Sequence, residues 1–133
     1  MHRSPLRGVF PAIRLKTHLI AGAFCRSSRY DAIVPGIWAF EIANVIFIAF
    51  TKRRRISQQQ IDEYLTRLRA LPIRSEHNDL WANIALESQA RKWNLPAYDV
   101  AYLDLALRKK LPLATADDDL RKTVQAVGIE VLA

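Results

Sequence analysis

Residues 98–115 read YDVAYLDLALRKKLPLAT and join a helical pattern to a short apolar run. In the first part, apolar side chains recur at the i, i+3, i+4, i+7 and i+8 spacing of one helical face. These side chains are Tyr98, Ala101, Tyr102, Leu105 and Ala106. The basic residues 108–110 suit the C-terminus of this helix because cations interact favourably with the helix dipole there. Residues 111–115 then read as a buried strand, and a helix leading into a buried strand is typical of an α/β fold.

The same alternation extends in both directions along the chain. The other predicted elements are a strand at 32–34, helices at 37–50 and 58–70, a strand at 72–74, a helix from about 80 to 93, a helix opened by residues 117–119, and a strand at 129–132. Strands separated by helices of about ten residues pair in parallel through right-handed crossovers. The sequence therefore predicts an α/β, three-layer domain with a central parallel sheet flanked by helices.

Local signals mark where several of these helices begin and end. Ser57 and Gln60 have the spacing of a capping box, and Asn78 or Asp79 can cap the helix that follows. We expect that helix to end at Asn94 in a left-handed conformation. Its inward side chains are expected to be Leu80, Ile84, Ala85 and Ser88.

Length and charge limit the classes of protein that fit. The chain has 133 residues, half of them hydrophobic and a quarter charged, which suits one globular domain and excludes disorder. The formal net charge is +7, and residues 1–30 contain six Lys and Arg and no acid. We therefore divide the chain into an atypical basic N-terminal segment, 1–30, and a domain at 31–133.

A membrane span at residues 32–50 is considered and rejected. Pro35-Gly36 interrupts this apolar stretch, and the remaining helix is about 21 Å long, against about 30 Å of hydrocarbon. Glu41 also falls near its middle, where insertion costs about 3 kcal/mol. With one cysteine, Cys25, no internal disulfide can form. We therefore expect a cytoplasmic protein that does not use a membrane.

Three acids fall where strands end. Asp117 follows the strand of residues 111–115, Asp99 opens the helix after Pro96, and Glu41 lies one turn into the helix after the 32–34 strand. Ligands collect at this edge of an open α/β sheet. Carboxylates without Cys or His clusters favour Mg²⁺ or Mn²⁺. Such an ion activates water and stabilises charge on a phosphodiester, so nucleic-acid hydrolysis is the natural chemistry.

Each acid also has a structural interpretation. Asp99 can act only as a favourable charge in the first turn of a helix, and Asp117 only as a helix cap. Glu41 can pair with an arginine, since a buried acid needs a partner. Residues 52–55 suit a solvated helix end more than an RNA patch. The three tryptophans, Trp38, Trp81 and Trp93, suit core or interface positions more than base stacking.

Three stretches resemble the successive signatures of VapC-like PIN-domain toxins: VPGIWAFEIAN at 34–44, YDVAYLDLA at 98–106 and LATADDDL at 113–120. The resemblance covers about residues 31–132. It implies a PIN fold and a metal-dependent endoribonuclease of a type II toxin–antitoxin pair, with RNA as substrate, a cognate antitoxin as partner and a homodimeric state. The matching acids, which would be the catalytic and metal-binding residues, are Glu41, Asp99 and Asp117. Asn44 matches a position that orients ligands, whereas Tyr98 and Tyr102 match as packing residues.

The resemblance fails at the front of the chain. PIN toxins begin with an apolar strand that ends in a ligand Asp, but the first acid here is Asp31, which precedes the 32–34 strand. Residues 1–30 are therefore expected to lack both the strand and the carboxylate. A misassigned start or frameshift, a degenerate toxin that binds without cleaving, and a site with only three acids all remain open. The alternative function is a non-catalytic PIN-fold module that binds antitoxin or RNA; a phosphatase or DNA nuclease is a weaker one.

Overall fold

The computed structural model describes residues 22–24, 32–52, 54, 56–115 and 117–132. The strands in this part of the chain are β1 (Gly22–Phe24), β2 (Ala32–Pro35), β3 (Ile73–Glu76), β4 (Leu113–Ala114) and β5 (Val131–Leu132). The helices are α1 (Ile37–Thr51), α2 (Gln58–Arg69), α3 (Leu80–Trp93), α4 (Ala97–Lys109) and α5 (Asp118–Ala126). The predicted α/β fold with a central sheet and flanking helices is confirmed.

The described strands form one sheet in the order β3-β2-β1-β4-β5. The pairs β2–β3 and β4–β5 are parallel, as predicted. In the middle, β1 runs antiparallel to both β2 and β4. The ends of β2, β3 and β4 therefore lie at one edge of the sheet, whereas β1 ends at the opposite edge.

The expectation that residues 1–30 contain no strand is wrong. Gly22–Phe24 pairs with a strand on each side and fills the centre of the sheet. This segment belongs to a six-residue apolar run, residues 19–24, and periodicity does not assign such a short run to a strand or a helix. The proposed domain boundary at residue 31 stays a prediction.

The local capping predictions are confirmed. The Ser57 hydroxyl accepts from the Gln60 amide N–H at 3.2 Å, and the Gln60 side chain accepts from the Ser57 amide N–H at 2.9 Å, which completes the capping box. Asp79 accepts from the Ala82 amide N–H at 2.7 Å and begins α3. Asn94 ends α3 in a left-handed conformation with φ 53°. Hydrogen bonds between residues three or four apart therefore determine where α2 begins and where α3 begins and ends.

The core surrounds α4, which buries most of its circumference against β1, β2, β4 and the neighbouring helices. Its fully buried side chains include Val100, Leu103 and Ala106. The Tyr98 side chain was expected to pack inward but is 59% exposed. Tyr98 lies in the first turn of α4, where Asp99 and Val100 are the residues that turn inward.

The predicted inward face of α3 is also wrong. Leu80, Ile84, Ala85 and Ser88 are exposed, and Leu86 is the buried residue of this helix. Ala90 and Trp93, at four and seven residues beyond Leu86, pack against the same core. Apolar residues are spread around most of α3, so the sequence pattern has no unique face, and packing against α4 decides which one turns inward.

The apolar helix α1 was the segment considered as a membrane span. It buries Trp38, Ile42 and Ala49 in the protein. Over the residues that the structure describes, no helix combines the length and apolar character that a membrane crossing requires.

Candidate functional site

The site centres on a contact between two helices. Glu41 lies in the second turn of α1, which begins directly after β2, and Tyr102 lies at the middle of α4. The Tyr102 hydroxyl donates a hydrogen bond to Oε1 of Glu41 at 3.1 Å. The Tyr102 side chain is fully buried, while Glu41 is half-buried. The core therefore positions a hydrogen-bond donor against a half-buried carboxylate.

Asp99 approaches the same tyrosine from α4 itself. It is 5% exposed and lies three residues before Tyr102, hence on the same helical face. Burial raises the pKa of Tyr102, and the charges of Glu41 and Asp99 raise it further. The phenol therefore stays protonated and remains a donor throughout the ordinary pH range. One carboxylate thus accepts a hydrogen bond from the buried hydroxyl, and the charge of a second, one turn away on α4, acts on the same group.

Asp117 has a different local role. Its Oδ1 accepts from the Leu120 amide N–H at 2.9 Å and caps α5. Its own amide N–H donates to the Thr115 hydroxyl at 3.1 Å, and the guanidinium of Arg121 donates to the Thr115 carbonyl at 3.1 Å. This turn holds Asp117 at the end of β4 and confirms that it caps α5, while its role as a metal ligand stays a prediction.

The other polar residues named from the sequence lie outside the Tyr102 contact. Asn44 is exposed on α1, one turn beyond Glu41, and its orienting role stays a prediction. Asp104 accepts hydrogen bonds from Gln89 and from Arg108 and so joins α4 to α3. Asp118 is exposed in the first turn of α5. The two described cations of the basic run, Lys52 and Arg54, are exposed, as expected for a solvated helix end.

The acids of the site provide some of the ligands that a divalent cation needs. Glu41 and Asp99 provide carboxylate oxygens, the ligand type that Mg²⁺ and Mn²⁺ prefer. Among the residues the structure describes, no three His, Cys, Asp or Glu side chains are grouped so that they could hold a metal ion. The chemistry therefore fits at Glu41 and Asp99, while Asp117 serves as a helix cap. The three-ligand assignment stays a prediction.

Sequence reasoning missed the role of Tyr102, which was interpreted as packing. The side chain does pack, but its hydroxyl also positions the Glu41 carboxylate. Two signals in the sequence indicate this: Tyr102 lies one turn after Asp99, and a glutamate within an apolar helix needs a donor. Neither signal identifies which distant residue is the donor, because the contact joins residues 61 positions apart.

Comparison with known proteins agrees with this fold. The family model for the PIN domain matches residues 16–125, which is most of the chain and includes β1. Comparison with curated proteins and with solved structures gives no significant match. The chain therefore belongs to the PIN-domain family, whose members are generally nucleases that use divalent metal ions.

Proposed function

We propose that this chain is an endoribonuclease that hydrolyses RNA phosphodiesters with Mg²⁺ or Mn²⁺, and that it is the toxin of a type II toxin–antitoxin pair. The observation that carries the proposal is the hydrogen bond from the Tyr102 hydroxyl to Glu41, with the buried carboxylate of Asp99 one turn earlier in α4, near the edge where β2, β3 and β4 end. Membership of the PIN-domain family supports nuclease chemistry at this edge. The resemblance of three motifs to VapC-like toxins supports RNA as the substrate.

The residues of the site prepare two carboxylates for a cation. Tyr102 donates to one oxygen of Glu41 and holds it in place. Because its pKa is raised, the phenol stays neutral and adds no negative charge beside the carboxylates. Asp99 is held by the first turn of α4 within the core, where charges interact more strongly than in water. A bound divalent ion supplies water activation and stabilises the charge that develops on the phosphodiester. Asp117 is close in sequence to the end of β4, and we propose it as the third ligand.

Charge and composition support an anionic substrate. The net charge of +7 attracts the phosphates of RNA, although most of the excess is in residues 1–30. From the toxin resemblance we propose a cognate antitoxin as protein partner, a homodimer as the assembly and the cytoplasm as the compartment.

A second candidate function is a non-catalytic PIN-fold module that captures antitoxin or RNA. Two observations favour it. The sequence has no acid before Asp31, and the Asp117 carboxylate is engaged in capping α5. Fewer negative ligands lower the affinity of a site for divalent cations, so such a chain would retain binding while losing cleavage.

The test is RNA cleavage by the purified full chain in Mn²⁺. We expect chelation by EDTA to abolish cleavage, and Asp99→Asn and Glu41→Gln to lower its rate about a hundredfold or more, because each removes a charge at the reacting centre. Asp118→Asn is the matched control, since Asp118 is an exposed acid in the first turn of α5. It is expected to cleave like the wild type.

The outcomes separate the two candidates. Cleavage that survives both chelation and Asp99→Asn contradicts the assignment of the site. Copurification with a small antitoxin, together with no Mn²⁺-dependent cleavage at high protein concentration, establishes the binding module instead.

A further inference from the structure

A groove opens at the edge of the sheet where β2 and β3 end. Its volume is about 450 Å³, and residues at the ends of β2 and β3 form its floor, among them Pro35, Gly36, Glu76 and His77. Ligand pockets in proteins range from about 300 to 1,000 Å³. The groove is therefore large enough for one nucleotide-sized group, and it lies at the edge of the sheet that holds the candidate site.

Two exposed aromatic side chains line this groove. Phe40 comes from α1 and is 74% exposed, and Tyr98 comes from α4 and is 59% exposed. Phe40 directly precedes Glu41, and Tyr98 directly precedes Asp99. Each ring therefore comes from a helix that also carries one of the two carboxylates, although neighbouring residues of a helix point in different directions. A group bound against these rings contacts α1 and α4, the two helices that carry the candidate catalytic residues.

The polar lining suits an uncharged ligand. Asn78, Asn83 and His77 offer hydrogen-bonding groups. The cation of the lining, Arg108, pairs with Asp104 at 2.7 Å and with Glu76. Because these acids compensate its charge, Arg108 is poorly available to a phosphate. Flat aromatic walls, amide edges and a compensated charge together match a nucleobase better than a phosphate group.

We propose that this groove binds one unpaired base of the RNA, stacked on Phe40 or Tyr98, while the phosphodiester to be cut lies at Glu41 and Asp99 on the same two helices. The inference rests on the proposed function for its class of ligand, which is RNA. A base in a duplex is already stacked and paired, whereas single-stranded bases are free to stack on aromatic side chains. The groove therefore selects single-stranded over double-stranded RNA.

The test is binding of a fluorescein-labelled, single-stranded eight-nucleotide RNA by the full chain, measured by anisotropy in EDTA to prevent cleavage. Loss of a stacking ring weakens binding by about fivefold or more, so we expect this effect for Phe40→Leu and for Tyr98→Ala. Tyr98→Phe keeps the ring and is expected to bind within about twofold of the wild type. The matched control is Phe47→Ala, because Phe47 is also an exposed phenylalanine of α1 but does not line the groove.

Two further probes examine the base itself. We expect an abasic version of the same oligonucleotide, and the corresponding duplex, to bind the wild type at least about fivefold more weakly than the single strand does. We expect the abasic strand to bind wild type and Phe40→Leu equally. Equal binding of the intact and abasic strands by the wild type overturns the inference. Unchanged RNA binding in both Phe40→Leu and Tyr98→Ala also overturns it. If these variants bind RNA unchanged but lose self-association in sedimentation, the groove is an interface between protein chains instead.

Failure of the groove and failure of the proposed nuclease give different results. Base-dependent binding that Phe40→Leu weakens, with no Mn²⁺-dependent cleavage, supports the groove and contradicts the nuclease. Cleavage that needs Asp99, with the same affinity in Phe40→Leu and wild type, supports the nuclease and contradicts the groove.

Discussion

The two ends of the candidate site use the same chemical group in opposite ways. Near the end of β2, Glu41 accepts a hydrogen bond from the buried hydroxyl of Tyr102, a residue 61 positions away in the chain, and the charge of Asp99 acts on the same hydroxyl. At the end of β4, Asp117 caps its own helix through the Leu120 amide N–H, three residues away. The difference shows that location at a strand end does not determine the role of an acid. The neighbouring donor determines it.

The largest expected effect comes from removing the buried ring that joins α4 to α1. Tyr102→Ala leaves a cavity in the core, and such truncations of large aromatic side chains cost about 3–5 kcal/mol. We expect a loss of this size in the free energy of unfolding, measured by urea denaturation. Tyr98→Ala, on the exposed first turn of the same helix, is expected to change it by less than about 0.5 kcal/mol. Equal losses in the two variants would show that Tyr102 is not part of the core.

A smaller change isolates the hydroxyl from the ring. Tyr102→Phe keeps the packing and removes only the donor to Glu41, and hydrogen bonds to charged groups contribute about 1.5–3 kcal/mol. We expect a loss in that range in urea denaturation, and about tenfold slower RNA cleavage, because residues that orient metal ligands have effects of about 10–100-fold. The control is Tyr98→Phe, which removes an exposed hydroxyl. Wild-type stability and cleavage in Tyr102→Phe would mean that Glu41 does not depend on this contact.

The pH dependence of stability tests the burial of the Tyr102 hydroxyl without a substitution at Glu41. Burial raises the pKa of both Tyr102 and Tyr64 above the ordinary value of 10.0. The folded protein then keeps protons that the unfolded chain releases. The contribution of these two tyrosines to stability should therefore be constant below about pH 10 and fall above it, by up to about 1.4 kcal/mol per pH unit for each tyrosine. Urea denaturation between pH 8 and 11 should show a shallower fall for Tyr102→Phe than for the wild type; identical slopes would contradict the burial of this phenol.

The smallest expected effect separates capping from catalysis at Asp117. Asp117→Ala removes the cap of α5 and should cost about 1 kcal/mol, whereas Asp117→Ser keeps a capping oxygen and should be close to neutral. If Asp117 is also a metal ligand, both variants lose RNA cleavage equally, since both lack the carboxylate. If the cleavage rate instead changes in parallel with the free energy of unfolding, falling in Asp117→Ala and staying at the wild-type value in Asp117→Ser, Asp117 acts only as a cap.

The parts of the structure that local chemistry determines could be predicted from the sequence. The Ser57–Gln60 capping box, the left-handed Asn94 and the α/β alternation all depend on residues close in the chain. The orientation of α3 could not be predicted, because Leu80 and Leu86 are both apolar and only packing against α4 distinguishes them. Within the site, residue type and position predict Glu41 and Asp99 as ligands, and these roles stay predictions. The role of Tyr102 depends on its contact with Glu41, 61 positions away in the chain, which no local pattern encodes.

The most direct test of the account is Mn²⁺ binding to the full chain, followed by the loss of the electron paramagnetic resonance signal of free Mn²⁺. The account predicts that the wild type takes up Mn²⁺ at a site that Glu41→Gln and Asp99→Asn each weaken at least about tenfold, while Asp118→Asn binds as the wild type does. Equal uptake by the wild type, Glu41→Gln and Asp99→Asn would contradict the claim that these two carboxylates form the centre of the site.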